Sequence, residues 1–259
     1  MTNAEIISSG NACLGIEFGS TRIKAVLIND KFEPIANGSF TWENSLIDGI
    51  WTYNIEEIHK GLQTCYADLK KDVKEKYNVT LSSFKCAGIS AMMHGYLAFD
   101  KDDNLLVPFR TWRNTITGAA SELLSTLFNF PVPERWSVSH FYQAILNNEK
   151  HVSKIANVYT LAAYIHYKLT GEKVIGVGDA SGMFPVEFSA DKKSCDYKKD
   201  FISKLEIAQK ECFETEYWLE LLFETGYIAE SIYKPLQNQC GAIRRMLISS
   251  LKTAKEGDK

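Results

Sequence analysis

Residues Leu14 to Val26 read LGIEFGSTRIKAV, two apolar runs separated only by Gly19-Ser20-Thr21. A break that short sends the second run straight back along the first, so the chain opens as a meander. Side chains alternate along a strand, which puts Ala12, Leu14, Ile16 and Phe18 on one face and Cys13, Gly15, Glu17 and Gly19 on the other. The first face is apolar, and the second is nearly bare around one carboxylate. A bare face lets a ligand reach the backbone, and Gly19, Ser20 and Thr21 can offer amide N–H groups and two hydroxyls to phosphate oxygens as an anion-binding nest. Lys24 follows at the start of the second strand. Glu17 is the candidate for the cation side of a metal-bound phosphate, acting through water because magnesium sheds its hydration shell reluctantly. An ordinary hairpin with a polar edge is the plainer alternative for this stretch taken alone.

At 259 residues and 45% hydrophobic composition, the chain can bury one sizeable core, or one core and a small appendage. A net charge of −3, with no basic stripe interleaved with aromatics, argues against nucleic acid or an anionic membrane as partner. The six cysteines, at 13, 65, 86, 195, 212 and 240, include no C-x-x-C pair, so neither a zinc site nor a disulfide framework is expected, and reduced thiols in a cytoplasmic protein fit best. No charged leader precedes an apolar run, and no run of about 18 apolar residues occurs.

The pattern predicts strands over 12–18, 23–28 and 34–40, then a helix over 55–77 with Asn54 and Glu57 as a capping box and Asn78 as its stop. A buried strand over 84–91 and a hairpin with arms 96–99 and 105–109 follow. Helices are expected over 116–128, 139–146 and 161–169, and a short hairpin region over 173–187. The run from Asp100 to Asn104 resembles a calcium loop, but Leu105 and Thr111 occupy the positions that need glycine and glutamate, so it reads as a hairpin turn. Neither G-x-x-x-x-G-K-[ST] nor G-x-G-x-x-G is present, which disfavours P-loop and Rossmann folds.

Three blocks carry a resemblance. LGIEFGSTRIKAVL resembles the first phosphate motif of the actin-like, sugar-kinase and heat-shock ATPase superfamily. Gly88 to Gly95, reading GISAMMHG, with Phe109 to Asn114, reading FRTWRN, is similar to the N-terminal lobe of the FGGY carbohydrate kinases, closest to xylulokinase-like members. Gly178 to Gly182, reading GDASG, matches a segment later in the same lobe. The resemblance covers roughly residues 12 to 205. It implies an α/β fold, an RNase H-like (actin-like ATPase) lobe with a mixed central sheet flanked by helices, over residues 10–206, followed by a helical C-terminal extension over 207–259.

By position, the resemblance makes Glu17 the magnesium-side acid, Gly19, Ser20, Thr21 and Lys24 the phosphate grip, and Met93, His94, Trp112 and Arg113 the sugar pocket. ATP and Mg2+ are the implied cofactors, and a sugar or polyol is the implied partner. An apolar wall with a few directed polar groups is what a hydroxyl-rich ligand needs. Two positions depart from the family pattern: Glu17 replaces the usual aspartate, and Asn114 stands where xylulokinase-like loops often carry an acid. His94 also reads as a turn histidine, Trp112 as core, Lys24 as a surface lysine and Asp179 as structural.

Family members run to about twice this length, and their C-terminal lobe carries the adenosine pocket and the general base. From about Ile207 the resemblance gives way to helical sequence, in which Ile243, Met246, Leu247 and Leu251 fall at helical spacing. The chain is therefore expected to be one lobe of a carbohydrate kinase, inactive alone, with a separate C-terminal lobe or second subunit as a candidate partner. A non-catalytic sugar- or partner-binding module is the alternative from another class. An actin-like or chaperone-type ATPase, which needs no sugar pocket, is disfavoured by the 88–114 block.

Overall fold

The computed structural model describes residues 1–188, 195–197 and 199–256, with side chains described over 1–186 and 205–252. The side chain of Cys195 and residues 257–259 of the expected tail lie outside the described residues. The elements in order are α1 (Asn3–Ser8), β1 (Cys13–Phe18), β2 (Arg22–Ile28), β3 (Pro34–Thr41), β4 (Ser45–Ile47), β5 (Ile50–Thr52), α2 (Ile55–Tyr77), β6 (Cys86–Ala91), β7 (Leu97–Phe99), α3 (Gly118–Phe128), α4 (Ser137–Leu146), β8 (Asn157–Tyr159), α5 (Leu161–Thr170), α6 (Val177–Ala180), β9 (Val186–Phe188), β10 (Cys195–Tyr197), α7 (Lys199–Glu224) and α8 (Glu230–Glu256). They gather into two compact units. The first holds Met1–Ala98, Val107–Asn114 and Val158–Asp179, and the second holds Phe99–Leu106, Thr115–Asn157 and Ala180–Lys259.

The first unit is built on a four-stranded mixed sheet in the order β3-β2-β1-β6. β1 runs antiparallel to β2 and parallel to β6, with Phe18 opposite Ile23 on one side and Ala91 on the other. As the alternation predicts, Leu14, Ile16 and Phe18 are buried, while Gly15 and Glu17 are exposed. The 3.6-residue stripe of Ile58, Cys65, Leu69 and Val73 lays α2 across β2 and β3. The approach is so close that a β-carbon on Gly38 would stand 2.2 Å from the Cys65 carbonyl oxygen and 2.4 Å from the Leu69 nitrogen. That helix also satisfies the outer edge of β3. The amides of Asn37 and Ser39 donate to the Asp72 and Asp68 carboxylates, each at 2.9 Å, and the Tyr77 hydroxyl donates to the Ile35 carbonyl at 2.9 Å. Such bonds leave little of that strand open to edge pairing.

α2 ends as expected, with Asn78 in the left-handed region at φ 54° and its amide donating to the Lys74 carbonyl. Its start differs. The Asn54 side chain accepts from the Glu56 amide at 2.8 Å, and no reciprocal bond from Glu57 completes a capping box among the described residues. The hairpin expected over 173–187 is replaced by a one-turn helix, α6, and by β9, which pairs antiparallel with β10 instead. The glycines in that stretch allow turns of either kind, and pattern alone does not choose between them.

In the second unit, α3 and α4 enclose Leu124, Phe128, Val132 and Val138, with Trp136, Phe184 and Leu205 packed against them. The Asp100 carboxylate accepts from the amides of Asp102 and Asn104, both at 2.9 Å, and from the Asn104 side chain at 3.0 Å. Its oxygens are thus spent on holding a turn, in keeping with the hairpin reading of that run. α7 and α8 form an antiparallel helical hairpin, closed at Gly226 with φ 76° and by bonds from Tyr227 and Ile228 to the Leu222 carbonyl. Phe223 stacks on Tyr233 with ring centroids 4.4 Å apart. The Cys212 and Cys240 thiols meet at 3.4 Å between the two helices.

Candidate active site

The turn after β1 is held from behind by two aromatic residues. The Trp42 indole donates to the Gly19 carbonyl at 2.8 Å, the Tyr53 hydroxyl to the Ser20 carbonyl at 2.6 Å, and the Trp42 amide to the Thr21 carbonyl at 3.2 Å. Trp42 and Tyr53 are themselves stacked, with ring centroids 4.3 Å apart. All three carbonyls of Gly19-Ser20-Thr21 are therefore occupied on one side. The Gly19 amide closes the turn onto the Arg22 carbonyl at 3.0 Å, whereas the Ser20 and Thr21 amides have no hydrogen-bond acceptor among the described residues. Both residues are exposed. Exposed amides and hydroxyls on a turn whose carbonyls point away suit an anion.

Glu17 and Lys24 are cross-strand neighbours, and their side chains form an ion pair at 3.5 Å with each about half exposed. A pair this wet is worth about 0–1 kcal/mol and gives way readily to a better partner. The Glu17 carboxylate also leans over the turn, with Oε1 3.8 Å from where a β-carbon on Gly19 would stand. Among the described residues no group of three or more histidine, cysteine, aspartate or glutamate side chains could hold a metal ion. Glu17 is thus a single carboxylate beside this turn, a donor set that suits a hydrated magnesium better than a bare ion.

Because β1 and β6 are parallel and in register, the Met92-Met93-His94 turn leaves the sheet beside Gly19-Ser20-Thr21, at the same end. The Met92 amide donates to the Phe18 carbonyl at 3.0 Å, and the Tyr53 hydroxyl lies 3.6 Å from the Met92 sulfur. His94 sits in the left-handed region at φ 69° and Gly95 at φ 97°. A β-carbon on Gly95 would meet the Phe109 ring at 2.7 Å, so this turn demands glycine on both conformational and steric grounds. Tyr96 and Arg110 exchange backbone hydrogen bonds at 2.9 and 3.2 Å, which places the Thr111 to Asn114 loop directly after them.

In that loop Trp112 is 43% exposed and so is not core, and Met93 is 49% exposed. The Arg113 guanidinium lies over the Trp51 ring, 3.8 Å from its centroid. Asn114 is buried and wholly occupied. Its amide nitrogen donates to the Trp51 and Thr111 carbonyls at 2.8 and 3.0 Å, and its oxygen accepts from the Trp51 amide at 2.8 Å. Asparagine rather than an acid is explained by this pairing, since an ionised carboxylate cannot donate.

Asp179, a structural residue on sequence reading, is also drawn to this end of the first unit. Burial pushes its carboxyl above the usual range, opposed by a hydrogen bond from the Thr160 hydroxyl at 3.0 Å and by the charge of His94. Sequence reading missed Trp42, Trp51 and Tyr53. Their signal was a cluster of large aromatics around Asn54, which a strand-and-helix pattern treats as filler.

The fold around this site is the actin-like fold of sugar kinases. A xyloylose kinase from Brucella ovis superposes with a TM-score of 0.58 at 19% identity, covering 67% of this chain and 37% of that one. A gluconate kinase from Lactobacillus acidophilus does so with a TM-score of 0.58 at 17% identity, covering 67% and 36%. In sequence, the gluconokinase of Bacillus subtilis strain 168 is 29% identical over 188 residues, the match covering 66% of this chain and 34% of that protein. Residues 12–252 match the N-terminal domain of the FGGY family of carbohydrate kinases, and the chain belongs to that family. The matched part of the chain spans about a third of the length of these relatives. No helix among the described residues is long and apolar enough to cross a membrane.

Proposed function

We propose that this chain is the phosphate- and sugar-gripping lobe of an ATP-dependent carbohydrate kinase, a phosphotransferase that moves the γ-phosphoryl of MgATP to a hydroxyl of a sugar, sugar acid or polyol. Residues 10–206 would be the kinase lobe and 207–259 its helical extension. The observation that carries the reading is the shared end of β1 and β6. There an anion-suited turn and a Met-His turn emerge side by side, tied through Tyr53 to Ser20 and Met92. Ser20, Thr21 and Lys24 would take phosphate oxygens, Glu17 the water shell of Mg2+, and Met93, His94, Trp112 and Arg113 the carbohydrate.

Phosphoryl transfer relies on positioning and charge stabilisation around the transferring group. The residues assigned here bind and orient; none is placed to take the proton from the attacking hydroxyl. That base would come from a second lobe, so the isolated chain should turn over little or no ATP. A coupled ADP-release assay over pentoses, gluconate and polyols tests this, and robust sugar-dependent turnover by the isolated chain would refute it. Calorimetry with sugar alone and with MgATP alone separates the kinase lobe from a non-catalytic sugar-binding module. The module is favoured if only sugar gives heat.

A further inference from the structure

Two of the chain's thiols face each other inside the α7–α8 hairpin. Cys212 and Cys240 are 28 positions apart in sequence, a spacing that does not suggest a pair. The folded hairpin nevertheless brings their sulfurs to 3.4 Å. The Cys212 thiol also donates to the Cys240 carbonyl at 3.3 Å, and the Cys240 thiol to the Cys212 carbonyl at 3.4 Å. Contacts that are reciprocal in this way bring each sulfur onto the backbone of the other residue, so the two helices approach as closely here as a disulfide requires of its Cα atoms. Both residues are only 7% exposed. Among the described residues no third histidine, cysteine, aspartate or glutamate side chain joins them in a group that could hold a metal ion. Two facing sulfurs without a further ligand make a dithiol and not a metal cage.

We propose that Cys212 and Cys240 are a site of reversible oxidation, closing a disulfide that fastens α7 to α8 when a low-molecular-weight disulfide such as oxidised glutathione is in excess. One protein thiolate attacks the sulfur–sulfur bond of the reagent and releases the first reagent thiolate, which leaves a mixed disulfide. The facing protein sulfur then attacks the protein side of that bond and releases the second. The two protein thiols give up two electrons and two protons, and the reagent takes up both as two thiols. The reagent enters when the hairpin opens or as the chain folds, because neither sulfur is open to a bulky molecule in the closed form. Pro235 inside α8, five positions before Cys240, removes one of that helix's backbone hydrogen bonds and makes local opening easier there. Burial that slows the reagent also shelters the finished bond from reductant. Closing a loop of this length takes freedom chiefly from the unfolded chain, so the oxidised hairpin holds more firmly than the reduced one.

The test takes the full chain through glutathione buffers from fully reduced to fully oxidised, in one arm as the folded protein and in another during refolding from denaturant. Each sample is quenched with an alkylating reagent, digested without reductant and mapped by mass. A peptide pair joining Cys212 to Cys240, lighter by two hydrogens than the separate peptides and reversed by dithiothreitol, is the expected product. Amide exchange across 212–240 should slow by about tenfold or more in the oxidised chain. Cys212→Ser and Cys240→Ser should each abolish both the linked pair and the slowing. Where either variant fails to fold, the map and exchange of the unaltered chain decide. Recovery of both thiols in alkylated form at every ratio in both arms overturns the proposal. So does pairing of either one with a different cysteine, such as Cys13 or Cys86, or a Cys212–Cys240 bond that leaves exchange unchanged.

Discussion

The Tyr53 hydroxyl donates to the Ser20 carbonyl at 2.6 Å while its ring stacks on Trp42, which holds Gly19 and Thr21. Two aromatic residues, 11 positions apart in sequence, thereby fix the whole three-residue turn. Tyr53→Phe keeps the stack and removes one buried hydrogen bond, so it should cost about 1 kcal/mol in denaturant unfolding. Amide hydrogen exchange should rise across 19–21 and stay unchanged in the middle of α2. Equal protection of the turn in both proteins would show that the hydroxyl does not set its conformation.

Asn114→Asp should be far more costly. The carboxylate loses both donated bonds to Trp51 and Thr111 and places a charge in a buried site, for a loss of roughly 3 kcal/mol at neutral pH. The loss should shrink as the solution is acidified and the new carboxyl takes up a proton, a trend that melting curves across pH will display.

Asp179 gives a pH signature of opposite use. Burial raises its carboxyl pKa in the folded chain, so its favourable contribution is complete below the unfolded value of roughly 4 and is lost as pH rises through the folded value. At neutral pH the ionised group is a liability. Asp179→Asn retains an acceptor for Thr160 and should stabilise by a few tenths of a kcal/mol, a figure discounted because the site is only half buried. The gain should vanish near pH 4; a gain that persists there would point to packing instead of charge.

Gly38→Ala should prevent α2 from seating. A methyl group there would stand 2.2 Å from one backbone atom and 2.4 Å from another, neither of which can swing aside as a side chain would. A loss of about 3 kcal/mol or more is expected, read as a fall in melting temperature or as insoluble product.

Thiol chemistry should be ordered by burial. Desolvation pushes Cys65 up to about 11 and Cys240 up to about 12, whereas Cys86 is exposed although the neighbouring Cys13 raises it somewhat. Reaction requires the thiolate, so among the described thiols iodoacetamide at mildly alkaline pH should label Cys86 first, and Cys65 and Cys240 only on unfolding. Peptide mass mapping over time reads this directly.

The sheet and its covering helix were legible because their signals are long and periodic. Two-residue alternation in 13–28 and a 3.6-residue stripe over six turns of α2 each repeat often enough to outweigh local exceptions. Of the assigned residues, Glu17 and Lys24 stand on β1 and β2, while Gly19, Ser20, Thr21, Met93, His94, Trp112 and Arg113 stand on the turns and loop beyond the strands of the first unit. The short β4–β5 hairpin, α1 and the one-turn α6 were not legible. Each is too brief to show a period, and each is fixed by contacts with residues distant in sequence, as when Trp51 is fastened to Asn114. The role of Trp42 and Tyr53 was hidden for the same reason. Nothing in the residues around an aromatic side chain announces which carbonyl, 20 or 30 positions earlier, its polar tip will reach.

A loop whose oxygen dipoles are all engaged from the rear can show an arriving ligand only the positive ends of its peptide groups. It therefore has little freedom to turn a carbonyl outward, and a cation or neutral donor in that place would find its acceptors only in the Ser20 and Thr21 hydroxyls and the Glu17 carboxylate. If the turn binds an anion as proposed, two rings packed behind it set that preference before any charged side chain takes part.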